Sequence, residues 1–247
     1  PADWHQESPS KLWLYNLHYF DYLITKEGLS KNLQSKKLIL NWIEIDEPNN
    51  KVGWEPYPTS LRIVNWIKWL IITEVKNEKI NRSIFLQTKY LNKKIEWHIL
   101  ANHLIANAKA LIFSGAFFQG DEALKFKRKG ESIILKQLNE QILNDGGHFE
   151  RSPMYHSIIV EDLLDLLELN RLLPKCIDIK VINKIKYLLP KTISWLNLII
   201  HPDMNLPFFN DTTIEIASPP KKLLNSFKKD MKETILNIDN NKLSYQY

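Results

Sequence analysis

Apolar residues recur at i, i+3, i+4 and i+7 along most of the chain, the spacing of helices that bury one face. The pattern predicts helices over 11–25, 30–45, 59–75, 80–95, 98–118, 121–143, 153–172, 178–200 and 220–237. Short strand-like runs are confined to "IEI" at 43–45 and "TTIEIAS" at 212–218. Between the helices lie three segments rich in Pro, Asn, Asp or Gly: "DEPNNKVGWEPYPTS" (46–60), "NDGGHFERSP" (144–153) and "HPDMNLPFFNDTT" (201–213). No short-period repeat runs through the chain, so the helices are not a tetratricopeptide or ankyrin array. Helical hairpins must stack or close on one another to bury their apolar stripes. A closed or partly closed α/α toroid is one solution and an irregular bundle the other.

Polar residues break the pattern in a few places. The chain has only seven glycines, yet Gly146 and Gly147 are adjacent, just ahead of "HFERSPMYHSIIVEDLLDLLEL". Ser152 is a natural N-cap and Pro153 a natural first helical residue, which puts Met154 at N2 and Tyr155 at N3. A phenol in the first turn is expected to ionise more readily than usual, because the helix dipole is positive there. The competing reading is an ordinary amphipathic residue in a capped helix. In "EWHILANHLIANAKAL" (96–111), His98 and Asn102 are four apart, as are His103 and Asn107, while four alanines keep the helix slim. Those polar groups are either satisfied core residues or a site. There is no HExxH pattern, so metal ligation is not expected. "KVGWEPYPTSLRIVNWIKWL" (51–70) combines an aromatic, proline-rigid loop with Arg62, a combination that serves either sugar binding or a helical core; Trp66 and Trp69 read as core.

Composition narrows the classes. The 247 residues are 44% hydrophobic and 25% charged, ordinary for a globular protein. A single cysteine, Cys176, excludes an internal disulfide framework and a multi-cysteine zinc site, and reads as a buried or half-buried helix residue. No run of ~18 uncharged apolar residues offers a membrane span. The net charge of +5 fits an anionic partner, although lysine is also the usual solvent-face residue here. The basic residues are scattered and no nucleic-acid motif accompanies them, so nucleic acid is not expected. The opening "PADWHQESPS" reads as the cut edge of a longer chain; cellular location, periplasmic or cytoplasmic, stays open.

Five segments, in order, carry a family resemblance: "LWLYNLHYFDYL" (12–23), "GWEPYPTSLRIVNW" (53–66), "HILANHLIANAKAL" (98–111), "DGGHFERSPMYHSIIVEDLLDL" (145–166) and "FFNDTT" (208–213). Together they resemble the heparinase II/III family of polysaccharide lyases and lyase-like proteins, and within it the members associated with bacterial surface-polysaccharide gene clusters. The resemblance covers residues 12 to about 215. It implies an all-α fold, an α/α toroid of helical hairpins, followed in the family by a β-sandwich that supplies a further histidine. Nothing after about residue 220 reads as a sandwich. The expected organisation is therefore an incomplete toroid over 1–217 and a terminal helix and tail over 218–247, with the β-sandwich as a missing partner.

The resemblance also implies β-elimination on a uronic-acid polysaccharide, without a cofactor or metal. Abstraction of the C5 proton builds charge on an anionic carboxylate, so donors must offset it, and an acid must meet the leaving oxygen. Motif matching places Asn102 and His103 at the carboxylate. It makes Tyr155 the acid, and the base too when both groups leave from one face. Arg62, Trp54, Tyr57, Glu150, His156 and Asn210 are the candidate substrate contacts. Two other readings stay open. One is an inverting glycoside hydrolase using acids among Asp145, Glu150 and Asp211. The other is a non-catalytic toroid that binds glycan during surface-polysaccharide assembly.

Overall fold

The computed structural model describes Trp4, residues 10–45 and residues 52–230. Every regular element among them is helical. In order they are α1 (Lys11–Tyr19), a 3-10 turn at Asp21–Ile24, α2 (Lys26–Ser30), α3 (Asn32–Ile45) and a second 3-10 turn at Val52–Trp54. Then come α4 (Pro56–Thr73), α5 (Glu78–Lys93), α6 (Ala101–Phe117), α7 (Asp121–Gln141), α8 (Pro153–Leu172) and α9 (Ile179–Ile199). Residues 220–230 are also helical; the rest of the helix expected to 237, and the loop residues 46–51, lie outside the described residues.

Three expectations are corrected. The helix expected over 11–25 stops at Tyr19, because Phe20 adopts a left-handed φ of 60° and Thr25 then caps α2 through Gly28 N. The run 43–45 is the last turn of α3, continuing the stripe that buries Ile39 and Trp42. The run 212–218 forms no strand: Glu215 has a positive φ of 67°, which interrupts an extended path, and no described strand is there to pair with it. Cys176 is half-buried as expected, but in the turn between α8 and α9.

The chain folds as two compact units, residues 1–135 and 136–247. The core of the first is aromatic. Trp42, Trp66 and Trp69 are fully buried, Trp42 and Trp66 meet edge to face at 5.4 Å, and Phe20 meets Trp66 in the same way at 5.3 Å. The Arg62 guanidinium lies 3.9 Å from the centre of the Trp42 ring. The second unit is built on α8 against α9, with Leu163, Leu166, Ile185, Leu189 and Leu196 buried. Each such aliphatic side chain contributes roughly 1.5–3 kcal/mol.

Candidate functional site

The first unit gathers polar groups at the mouth of α6. Leu100 precedes the helix at φ 66° and ψ −150°, a region used almost only by glycine, and Ala101 follows with φ 51°. Such a conformation costs ~1–3 kcal/mol and marks candidate functional sites. No side chain caps α6, so its positive N-terminal pole is not offset by a capping oxygen. Asn102 sits at N2. It is 6% exposed, and its amide makes no hydrogen bond with a described residue. Its side-chain oxygen and nitrogen are not among the fully buried polar atoms that lack a partner, so the group is not an orphaned donor or acceptor.

His103, at N3, is placed by its neighbours. Its Nδ1 lies 3.1 Å from Glu96 Oε1, and the Tyr57 ring stacks on it at 4.3 Å. Asn107, one turn further along α6, is fully buried and committed. Its Nδ2 donates to Ser60 Oγ and Glu96 Oε2, each at 3.0 Å, and its Oδ1 accepts from Glu96 N at 3.0 Å. The helix begins at Ala101, so exposed His98 lies in the preceding turn and the expected His98–Asn102 helical pair does not form. An aromatic row extends from His103 through Tyr57 and Tyr19 to Tyr15, with successive ring separations of 4.3, 5.9 and 6.4 Å. The Tyr15 phenol donates to Glu55, which also pairs with Lys11 at 2.9 Å. Burial, reinforced by Glu55 and Glu96, holds that phenol far above its usual pKa.

In the second unit the mouth of α8 follows its sequence signals. Ser152 Oγ accepts from Tyr155 N at 3.2 Å and donates to the Asp211 carbonyl at 3.1 Å, so the cap also ties down the loop after α9. Asn210 reinforces the tie by donating to the Arg151 carbonyl at 2.7 Å. The two glycines let the preceding loop lie against α9. A Cβ at Gly146, which has φ 92°, would stand 2.4 Å from the Lys191 carbonyl oxygen, and one at Gly147 would stand 2.7 Å from Trp195 Nε1. The Tyr155 phenol is half-buried and hydrogen-bonds to no described residue. Its pKa is raised, first by burial and then by Asp211 and Glu150. Burial and two nearby carboxylates thus act against the easier ionisation expected at a helix mouth. The group suits an acid better than a base.

Several expected substrate contacts have other tasks. Arg62 is fully buried and donates to Gln87 Oε1 and the Gly53 carbonyl, each at 2.8 Å, so it organises the first unit from inside instead of meeting substrate anions. Trp54 is 7% exposed and packs against Trp42 and Tyr90, a core position. His156 is fully buried with both nitrogens used: Nδ1 accepts from His148 N at 3.2 Å and Nε2 donates to the Thr192 carbonyl at 2.9 Å. It is a structural strut, pushed down to about pKa 4 by burial. His148 donates from Nε2 to Gln141 Oε1 at 2.9 Å, and burial followed by repulsion from His156 pushes it down to about 3. Glu150 is partly exposed, 3.6 Å from His148 Nδ1. Tyr57, Glu150 and Asn210 retain solvent-facing surface. Glu96, Tyr15 and Glu55 were missed by sequence reasoning. The one available signal for Glu96 was an acid isolated just ahead of an apolar helix. Among the described residues no cluster of His, Cys, Asp and Glu could hold a metal ion, and no helix is long and apolar enough to cross a membrane.

Comparison with known proteins agrees with this picture. The family described as Heparinase II/III N-terminus matches residues 42–234. A heparin-sulfate lyase of Pedobacter heparinus is 23% identical over 193 residues, 70% of this chain and 27% of the relative. A heparin-sulfate lyase of Bacteroides stercoris is 43% identical over 56 residues, 22% of this chain and 8% of the relative. The crystal structure of heparinase III superposes with a TM-score of 0.67 at 21% identity, covering 94% of this chain and 38% of that one. The chain thus spans about a quarter of the longer-matched curated relative, and its all-α fold class is shared with the matched part of heparinase III. With a family match running through most of its length, this chain belongs to the heparinase II/III family by its N-terminal, helical domain.

Proposed function

We propose that the chain is a polysaccharide lyase domain that acts on uronic-acid-containing, anionic polysaccharide by β-elimination. The observation that supports it most is His103 at the mouth of α6, held by a buried carboxylate beside Asn102 at a helix start with a strained backbone. The similarity to heparin-sulfate lyases makes sulfated uronate polysaccharide the first substrate class to test. In the reaction a base removes the C5 proton and those electrons form the C4–C5 double bond. The C4–O bond breaks, and the leaving oxygen takes a proton. Asn102 donates to the carboxylate as charge builds on it, His103 assists there, and Tyr155, kept protonated by its surroundings, serves the leaving oxygen.

The test is product chemistry. Incubation with heparan-type polysaccharide is expected to raise ultraviolet absorbance from the conjugated product, and Asn102→Ala and Tyr155→Phe to suppress that rise. New reducing ends without absorbance indicate hydrolysis instead. Binding without either product indicates a glycan-binding domain. Asp145 is already engaged by Gly147 N at 2.9 Å in a turn, which gives the hydrolytic reading no support from that residue.

A further inference from the structure

We infer that Glu96 is a positioning residue that holds His103 in the Nδ1-protonated tautomer and so presents Nε2 outward as a hydrogen-bond acceptor. The assignment of that acceptor to substrate rests on the lyase reading; the tautomer itself does not.

Glu96 is 3% exposed. A buried carboxylate must be compensated by donors. Asn107 supplies one to Oε2 and also accepts from the Glu96 backbone N–H, so the acid is clamped at two points by one amide. That amide is anchored on α4 through Ser60, whose hydroxyl donates to the Pro56 carbonyl at 2.8 Å. The remaining oxygen, Oε1, faces His103 Nδ1 at 3.1 Å. An ionised carboxylate only accepts, so Nδ1 must carry the hydrogen. Tyr57, stacked on the imidazole at an interplanar angle of 29°, restricts rotation of the ring. Nε2 bonds to no described residue and is not among the buried atoms, consistent with a side chain 24% exposed. A free imidazole in water favours the other tautomer, so the clamp must reverse an intrinsic preference. The result is a lone pair aimed at solvent, able to accept from a sugar hydroxyl or to take a proton, with the resulting imidazolium stabilised by Glu96.

The test is long-range proton–nitrogen NMR on the chain labelled with 15N-histidine, without substrate, with His103→Asn used for assignment. Wild type is expected to show His103 mostly Nδ1-protonated, with a downfield, slowly exchanging Nδ1 proton. Glu96→Gln is expected to remove that proton and move the population mostly to the Nε2-protonated form. An Nε2-protonated His103 in wild type overturns the inference, as does an unchanged tautomer in Glu96→Gln. The wild-type spectrum decides even if the variant does not fold. A chain that passes but yields no unsaturated product refutes lysis and leaves the tautomer assignment standing. A chain that fails yet yields product refutes only the assignment.

Discussion

The mouths of α6 and α8 each present chemistry-bearing side chains in a first turn, yet they are built in opposite ways. At α8 a serine caps the helix, a proline starts it, and behind it buried His156 has both ring nitrogens bonded within the protein. At α6 no side chain caps the helix, Leu100 holds a backbone conformation suited to glycine, and the Asn102 amide has no described partner. The histidines show the same contrast. His156 spends both nitrogens on neighbours, whereas His103 spends one and leaves the other open. One mouth stores stability and the other forgoes it. Backbone strain survives where a ligand or a transition state can use it.

The contrast can be broken first at His156. His156→Ala leaves the His148 N–H and the Thr192 carbonyl without partners and opens a cavity, so denaturant unfolding should register a loss of about 3 kcal/mol or more. Asn102→Ala should do the reverse. Its unfolding free energy should change by no more than about 0.5 kcal/mol, while the elimination barrier read from ultraviolet product formation rises by about 3 kcal/mol. A large stability loss at Asn102 would mean that its amide is already satisfied in the folded chain.

Acid should weaken the second unit through its histidines. His148 and His156 have folded pKa values near 3 and 4, below the ~6.5 of an unfolded histidine. The unfolded chain therefore binds more protons, and the stability from keeping them neutral is complete above about pH 6.5 and lost as pH falls toward 3–4. The slope is on the order of 1.4 kcal/mol per pH unit for each histidine. Denaturant midpoints between pH 7 and 4.5 should fall more steeply for wild type than for His156→Asn. The smallest effects belong to the helix starts themselves. Ser152→Ala should cost about 1 kcal/mol by removing a cap, whereas Leu100→Gly should gain up to about 1 kcal/mol by relieving strain, both read from thermal unfolding.

The helices of this chain were legible because an amphipathic stripe and its caps are local. Ser152 and Pro153 announced α8, and α4 through α9 lie close to their predicted spans. The break at Phe20 was not legible, because a phenylalanine in the left-handed region carries no sequence signal. Asn102, His103 and Tyr155 were picked out from unusual residue types and family-like spacing, but their roles depend on partners far away in sequence. Glu96 and Tyr57 decide how His103 is used; Asp211, 56 residues after Tyr155, helps to keep that phenol protonated. Arg62, an apparent ligand for anions, is turned inward by the Gln87 side chain and the Trp42 indole, which its own segment could not reveal.

What the sequence determined by itself was helix, cap and candidate chemistry, since each rests on interactions within a few residues. Burial was left to the tertiary structure. Burial is set by neighbours distant in sequence, and it decides whether a polar side chain is spent on the fold or kept for a ligand.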